Sequence, residues 1–387
     1  MIDLVLGLFK GLKKKTYGAK GTIDWILLGA TLPILGAGLV TMNSFSGDST
    51  LFYKQLVFIP VALVIFFVVS YLDLSFLKRT NVIVALFLFA CCMLTLLFVV
   101  GHVAKGAQSW FRLGFVSLQP SDVAQIFLIL LLSKYFSRRH IEIRNIRHIL
   151  VSGLYSMVIF LLIIAQPDFG GAIIVFFIWF GMVFVSGISK RHVIAVLLIG
   201  AVSFAGLWMY VFKDYQKARI MTFIHPLADI HGAGYNAYQS TIAVGSGQML
   251  GKGIGYGTQS KLSFLPEYQT DFIFAAFAEE WGFIGVVILF ILYGIVIWRI
   301  LYNSMYGASN FEILYGMGIA ILFMTHIIVN IGMNIGLLPV TGVTVPFMSY
   351  GGSHLVTEFL ALGILMSMRR HRRAAHRDVI KNEFLGI

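Results

Sequence analysis

The chain has 387 residues, of which 58% are hydrophobic and only 12% charged, and it carries a formal net charge of +12. Soluble domains hold about 25% charged residues, so this composition excludes a single soluble core and points to lipid as the solvent. The basic excess sits in short clusters between apolar runs; that is a membrane-topology pattern rather than a nucleic-acid footprint, and no nucleic-acid partner is expected.

Residues 1–21 form a basic segment with Lys10, Lys13, Lys14, Lys15 and Lys20. They lack an apolar stretch followed by a small-residue cleavage site, so no cleavable signal peptide is expected. A membrane-crossing helix needs roughly 20 mostly apolar residues. Candidate spans lie at 24–42, 55–73, 81–101, 120–137, 149–166, 171–188, 193–212, 271–298, 313–335 and 353–368. These runs are long and continuous, without the alternation of barrel strands. Cys91 and Cys92 are adjacent within the third run and form no plausible disulfide.

With the first segment inside, Lys and Arg concentrate in the inner segments, ending in a basic tail at 369–387 that holds Arg369, Arg370, Arg372, Arg373, Arg377 and Lys381. The bias follows the positive-inside rule and places both termini in the cytoplasm. The expected fold is therefore an all-α polytopic membrane protein of about ten spans, forming one membrane domain over 1–387. One outer segment, 213–270, is much longer than the others. It is rich in Gly and Tyr, and it is expected to be ordered, with short helices near the outer interface.

Acidic residues number only 17, so their positions are informative. Asp122, Asp168, Glu267 and Asp271 fall near the outer side; Glu279, Glu280 and Glu358 fall within spans, where charge is costly and usually functional. Asp271 closes the long outer segment. It reads either as a helix-N-terminal carboxylate favoured by the dipole or as a general base at the water–lipid boundary. Glu267 lies four residues earlier, after Pro266, on the last stretch of loop. The two carboxylates could hold a divalent cation, Mg or Mn, through oxygen ligands, although no recognised ligand spacing is present.

Glu279 and Glu280 lie about two turns further in, roughly 12 Å below Asp271, and read as partners for polar groups on other helices. His326, Asn330 and Asn334 share one face, as do His354 and Glu358; such stripes usually pack inward as hydrogen-bonding glue. Arg112, Arg219, Lys252 and Lys261 are the outer cations that could meet a pyrophosphate. The glycines from Gly245 to Gly257 match no nucleotide-binding motif and read as a tight loop at the membrane surface, able to approach a sugar or phosphate. No organic cofactor is implied.

Several blocks together resemble the SEDS (shape, elongation, division and sporulation) family over roughly 80–370. They are Gly106-Ala107-Gln108-Ser109-Trp110-Phe111 with Leu118-Gln119-Pro120-Ser121-Asp122, then Gln166-Pro167-Asp168-Phe169-Gly170. The outer segment adds Gly234-Tyr235-Asn236-Ala237-Tyr238-Gln239-Ser240 and Gly257-Thr258-Gln259-Ser260, followed by Phe264-Leu265-Pro266-Glu267 and Thr270-Asp271-Phe272. The last is Asn330-Ile331-Gly332-Met333-Asn334 through Pro346-Phe347-Met348-Ser349-Tyr350-Gly351-Gly352-Ser353. The Gly-Thr-Gln-Ser stretch resembles the rod-shape branch more than the division branch.

This resemblance implies a peptidoglycan glycosyltransferase that polymerises lipid II into glycan strands at the outer face of the bacterial cytoplasmic membrane. It implies a class B penicillin-binding transpeptidase as partner, among other membrane proteins of cell elongation. It also implies that Asp271 is the essential carboxylate and that Trp110 is functionally important. Arg219, Lys252 and Glu267 are the accompanying substrate-binding candidates. Asp122 stands where the family more often has Glu. The competing functions are a flippase for lipid-linked precursor, working through mid-membrane groups, and a non-catalytic activator of a partner synthase.

Overall fold

The computed structural model describes residues 23–44, 50–104, 107–113, 116–137, 146–187, 190–210, 212, 214–225, 234–262 and 264–385. Each predicted span falls on a helix: α1 (Trp25–Asn43), α2 (Thr50–Tyr71), α3 (Thr80–Val100), α4 (Pro120–Ser137), α5 (Ile146–Ala165), α6 (Phe169–Val185), α7 (Lys190–Tyr210), α11 (Ile273–Ser304), α12 (Asn310–Asn334) and α13 (Gly352–Leu385). Helices α1, α2, α3, α5, α7, α11 and α12 are long and apolar enough to cross a membrane. α6 is apolar but shorter. α4 carries Asp122, Gln125 and Lys134 and is buried along most of its length. A helix enclosed by other helices tolerates such groups because it does not face lipid. The chain is a polytopic helical membrane protein.

The apolar residues fill one large core, with α13 against α2, α12 against α4 and α6, and α11 against α1 and α12. Edge-to-face rings such as Phe66–Phe359 and Phe347–Phe359 join α2 and α13 to the α12–α13 loop. Asp24 is 3% exposed and caps α1 by accepting from the Ile26 and Leu27 amides. Its other oxygen accepts from Arg299 at 2.6 Å and Asn303 at 2.7 Å, which ties the start of α1 to the end of α11. A carboxylate buried this deeply is tolerable because every lone pair has a donor.

Three features differ from the expected fold. The segment after α3 contains a small antiparallel sheet, β1 (His102–Ala104), β2 (Ala107–Leu113) and β3 (Val116–Leu118), in the order β1-β2-β3. These strands are too short to leave a periodic signal in the sequence. α13 continues beyond 368 to Leu385, so the basic tail extends the last helix.

The third difference matters most for function. α11 is broken at Gly282, whose φ of 64° and ψ of −168° are available essentially to glycine alone. In a straight helix Phe274 and Phe290 would be about 24 Å apart, yet their ring centroids are 6.3 Å apart. The chain therefore doubles back at Gly282, giving a buried half-helix, Ile273–Trp281, and a spanning half, Phe283–Ser304.

The long outer segment holds the expected short helices: α8 (Asp214–Ile224), α9 (Tyr235–Ser246) and α10 (Thr258–Lys261). α9 packs on α11 and α12. A second apolar cluster of Ala243, Leu265, Phe272, Ala275 and Ala276 wraps the half-helix.

Candidate functional site

The predicted carboxylate Asp271 stands just before the half-helix. Its N-cap is Phe272, which makes no side-chain cap bond, so Asp271 is not the helix-capping residue that its position suggested. Instead its main chain is clamped. Asn330 Nδ2 donates to the Asp271 carbonyl at 3.0 Å, and Asn334 Nδ2 donates to it at 3.1 Å. The Asn334 oxygen accepts from the Ala275 amide at 3.2 Å and from Ser240 Oγ at 3.3 Å. Both asparagines are fully buried. The polar face of α12 thus packs inward, as its four-residue spacing suggested, and the groups it holds belong to the Asp271 turn.

The α12–α13 loop supplies the other side of the clamp. Ser349 Oγ donates to the Thr270 carbonyl at 2.8 Å, and the Tyr350 amide donates to the Gln269 carbonyl at 2.8 Å. Gly342, at φ 74°, passes beside the carboxylate; a Cβ there would lie 3.6 Å from Asp271 Oδ2. The Asp271 residue itself is half-buried. A half-buried carboxylate on a fixed backbone can meet a hydroxyl presented from the water side.

Glu267 sits in the same turn at φ 55°, exposed, and its Oε2 accepts from Thr270 Oγ1 at 3.0 Å. Its carbonyl accepts from the Thr270 and Phe272 amides. Among the described residues no group of three or more His, Cys, Asp or Glu is arranged to hold a metal.

Lys252 lies elsewhere. Its ammonium donates to Glu279 Oε1 at 2.6 Å and to Thr258 Oγ1 at 2.8 Å. Glu279 is fully buried and also accepts from the Thr258 and Gln259 amides at 2.9 and 3.2 Å. Glu280 accepts from the Gly255 amide at 2.7 Å. Glu279 and Glu280 both precede the break at Gly282, so their spacing of about 12 Å from Asp271 along the helix is kept, but their partners are outer-segment residues rather than groups on other spans. Lys252 and Asp271 lie at opposite ends of the half-helix, about 12 Å apart along its axis.

The glycine-rich stretch closes this end. Gly251, at φ 80°, runs so near the break that a Cβ would lie 2.1 Å from the Glu280 carbonyl oxygen. These glycines permit backbone to meet backbone; in sequence the same composition was equally compatible with a sugar or phosphate.

Trp110 is half-buried on β2, opposite His102 of β1. The sheet reaches the clamp indirectly: the Gln119 amide, just after β3, donates to Ser353 Oγ at 3.1 Å, at the start of α13. Arg219 lies in α8 and Arg112 in β2, and their side chains fall outside the described residues. Lys261 is exposed at the end of α10.

Behind the clamp loop lies a buried polar cluster. His354 Nδ1 is 3.3 Å from Asp122 Oδ2, and His354 Nε2 is 3.0 Å from Glu358 Oε1. The His326 ring lies 4.9 Å from that of His354, and His326 Nδ1 is 3.2 Å from the Thr344 carbonyl oxygen. Glu358 Oε2 accepts from the Phe347 amide at 3.0 Å. With Gln125 and Thr357 these groups line a small cavity. They hold the same 343–350 loop that holds Asp271. Asp168, outside the spans, accepts from the Gly171 amide at 2.9 Å as the cap of α6. Burial pushes its carboxyl up from the ordinary range, the Gly171 bond opposes that, and nearby Asp122 adds to the rise.

Residues 22–374 match the FtsW/RodA/SpoVE family, described as cell cycle protein. The peptidoglycan glycosyltransferase MrdB of Escherichia coli K12 is 36% identical over 95% of this chain and 98% of its own length. Stage V sporulation protein E of Bacillus subtilis is 33% identical, covering 92% and 99%. Among solved structures, a chain from a peptidoglycan synthase complex that coordinates polymerization and crosslinking superposes with a TM-score of 0.77 at 30% identity. That match covers 90% of this chain and 98% of the other. The rod shape determining protein RodA of Thermus thermophilus superposes with a TM-score of 0.69 at 29% identity, covering 92% and 98%.

Proposed function

The chain belongs to the FtsW/RodA/SpoVE family, and on that premise we propose that it is a peptidoglycan glycosyltransferase of cell elongation. It is a multi-pass protein of the bacterial inner membrane that polymerises lipid II. The observation that supports the catalytic assignment is the clamp: Asn330, Asn334 and Ser349 fix the Thr270–Asp271 main chain, so the carboxylate projects from a backbone that is held in place.

Both substrates keep their polyprenyl tails in lipid and their headgroups at the outer surface. Asp271 accepts the proton of the acceptor sugar's 4-hydroxyl as its oxygen attacks the anomeric carbon of the growing chain. The anomeric C–O bond breaks, the centre inverts, and polyprenyl pyrophosphate leaves with the bonding pair. A base pre-positioned within hydrogen-bond reach accounts for roughly 10²–10⁴-fold of such a rate. The activation resides in the leaving group, so no nucleotide or organic cofactor is required.

Arg219 is assigned to the departing charge; a divalent cation, Mg²⁺ or Mn²⁺, would supply further charge neutralisation there if bound, with Glu267 as the carboxylate available to it. Lys252 supports the site from a distance, because its charge is committed to Glu279. Trp110 and Glu267 are the further residues assigned to contact with the substrate headgroups. The likeness to a chain from a polymerizing and crosslinking complex supports a class B penicillin-binding transpeptidase as partner.

The test is to incubate purified protein with labelled lipid II and Mg²⁺ or Mn²⁺, with and without that transpeptidase. Glycan strands in either arm support the assignment. Transport of lipid II across vesicles without polymer in either arm would replace it with the flippase reading.

A further inference from the structure

The spanning half of α11 presents an apolar stripe to its surroundings: Phe283 is 57% exposed and Ile284 47%, with Ile288 and Ile291 exposed below them. On a membrane-crossing helix this stripe faces lipid. The stripe does not end where the helix begins. The Phe283 amide donates to the Gln248 carbonyl at 2.8 Å, and the Ile284 amide donates to the Met249 carbonyl at 3.2 Å. Two orphan donors at a helix N-terminus are thus satisfied by the outer segment. On the other side of the break, the Lys252 and Gly253 amides donate to the Glu279 and Glu280 carbonyls at 2.9 and 3.0 Å, closing the half-helix.

Residues 248–253 therefore form a strap that caps both helices at the Gly282 turn. Met249 and Leu250, at its centre, are 61% and 78% exposed and adjoin the lipid-facing stripe. Ile254 and Tyr256 follow and are also exposed. Between Gly247 and Gly257 the sequence holds one charged residue, Lys252, and its charge is neutralised internally by Glu279. The strap thus turns apolar side chains outward and presents no uncompensated charge.

We propose that the 248–256 strap is seated in the outer leaflet of the bilayer, with Met249 and Leu250 continuing the lipid-facing stripe of α11 and Tyr256 at the headgroup level, where aromatic rings of this kind concentrate. Membrane seating then fixes the end of the half-helix opposite Asp271. The occupant is bilayer lipid because the strap is joined by main-chain bonds to a surface that already faces lipid. Interfacial segments of this type sit about 5–10 Å into the headgroup–acyl boundary.

The test uses the full chain carrying Cys91→Ser and Cys92→Ser, spin-labelled at Leu250→Cys or, separately, at Ile288→Cys as the lipid-facing reference. The protein is reconstituted at high lipid-to-protein ratio in phosphatidylethanolamine–phosphatidylglycerol vesicles. Power saturation compares collisions with oxygen, which partitions into lipid, and with a water-soluble nickel chelate. Seating in the leaflet predicts that label 250 is oxygen-favoured and shallower than label 288. Nickel-favoured collisions would overturn the proposal by placing the strap in water. A label shielded from both reagents would also overturn it: shielding only at high protein density would point to a second copy, and shielding only on adding the transpeptidase to a protein partner. The readout needs no enzymatic activity, so its failure is distinguishable from failure of the glycosyltransferase assignment.

Discussion

Asn334 holds Asp271 by its main chain: the side-chain amide donates to the Asp271 carbonyl at 3.1 Å while the amide oxygen accepts from Ala275, one turn into the half-helix, at 3.2 Å. One residue of α12 thus sets both the position and the direction of the segment carrying the proposed base.

Replacing Asn334 with alanine removes these bonds and leaves buried partners unpaired, a loss of about 1–3 kcal/mol. We expect a lower thermal midpoint and a fall in kcat for lipid II polymerisation with little change in KM. Asn334→Asp would set a buried carboxylate against the Asp271 and Asn330 carbonyl oxygens, so it should be no more stable than alanine. Calorimetry and initial-rate kinetics on the same preparations check both points.

Lys252 and Glu279 form the corresponding lock at the other end. Removing one partner of a buried pair costs about 3–5 kcal/mol, because the remaining charge is stranded. Lys252 is partly solvated, at 28% exposure, so Lys252→Ala should fall at or below the low end of that range. Adding Glu279→Gln to Lys252→Ala removes the stranded charge and should recover part of the loss. A double variant whose loss equals or exceeds the sum of the two singles would show that the pair is not coupled as described.

Gly282 and Gly251 meet backbone to backbone. A Cβ on Gly282 would lie 2.2 Å from the Gly251 amide nitrogen, and Gly282 occupies a glycine-only conformation. Backbone strain of this kind costs about 1–3 kcal/mol before any clash is counted. Gly282→Ala should therefore reduce the yield of monodisperse protein, whereas alanine at Gly294, where nothing lies within 4 Å of a Cβ, should leave it unchanged. Size-exclusion profiles of the two variants provide the comparison.

Asp168 gives a pH dependence of defined sign. Its carboxyl is raised above the ordinary value of 3.8 by burial. Its contribution to stability is therefore fully present below about pH 4 and is lost as pH rises through the folded-state value. Asp168→Asn can keep the bond from the Gly171 amide while removing the ionisation. It should be less sensitive than wild type to a pH increase from 4 to 7 and no less stable at neutral pH, as measured by thermal unfolding across that range.

The spans were legible because hydropathy over a helix length is a strong physical signal, and the inward faces of α12 and α13 because four-residue spacing is one too. Asp271 was legible as an isolated carboxylate at a loop–span boundary, and its assignment as the base came from the family resemblance. The break in α11 was not legible. Apolar residues continue across Gly282, and a lone glycine in such a run is ordinarily tolerated within a helix. The roles of Lys252 and Glu279 were hidden for the same reason, since their pairing exists only because the chain turns there. Ser349 and Tyr350 act on residues about eighty positions away through main-chain bonds, which leave no pattern in side-chain chemistry.

The most direct measurement compares wild type with Asp271→Asn in polymerisation of labelled lipid II, each with the transpeptidase present and each shown to be folded by its thermal transition. The account predicts long glycan strands from wild type and none from the variant at equal substrate and cation concentrations. Equal polymer from both would contradict it, removing Asp271 from the chemistry while leaving the polymerase assignment in place.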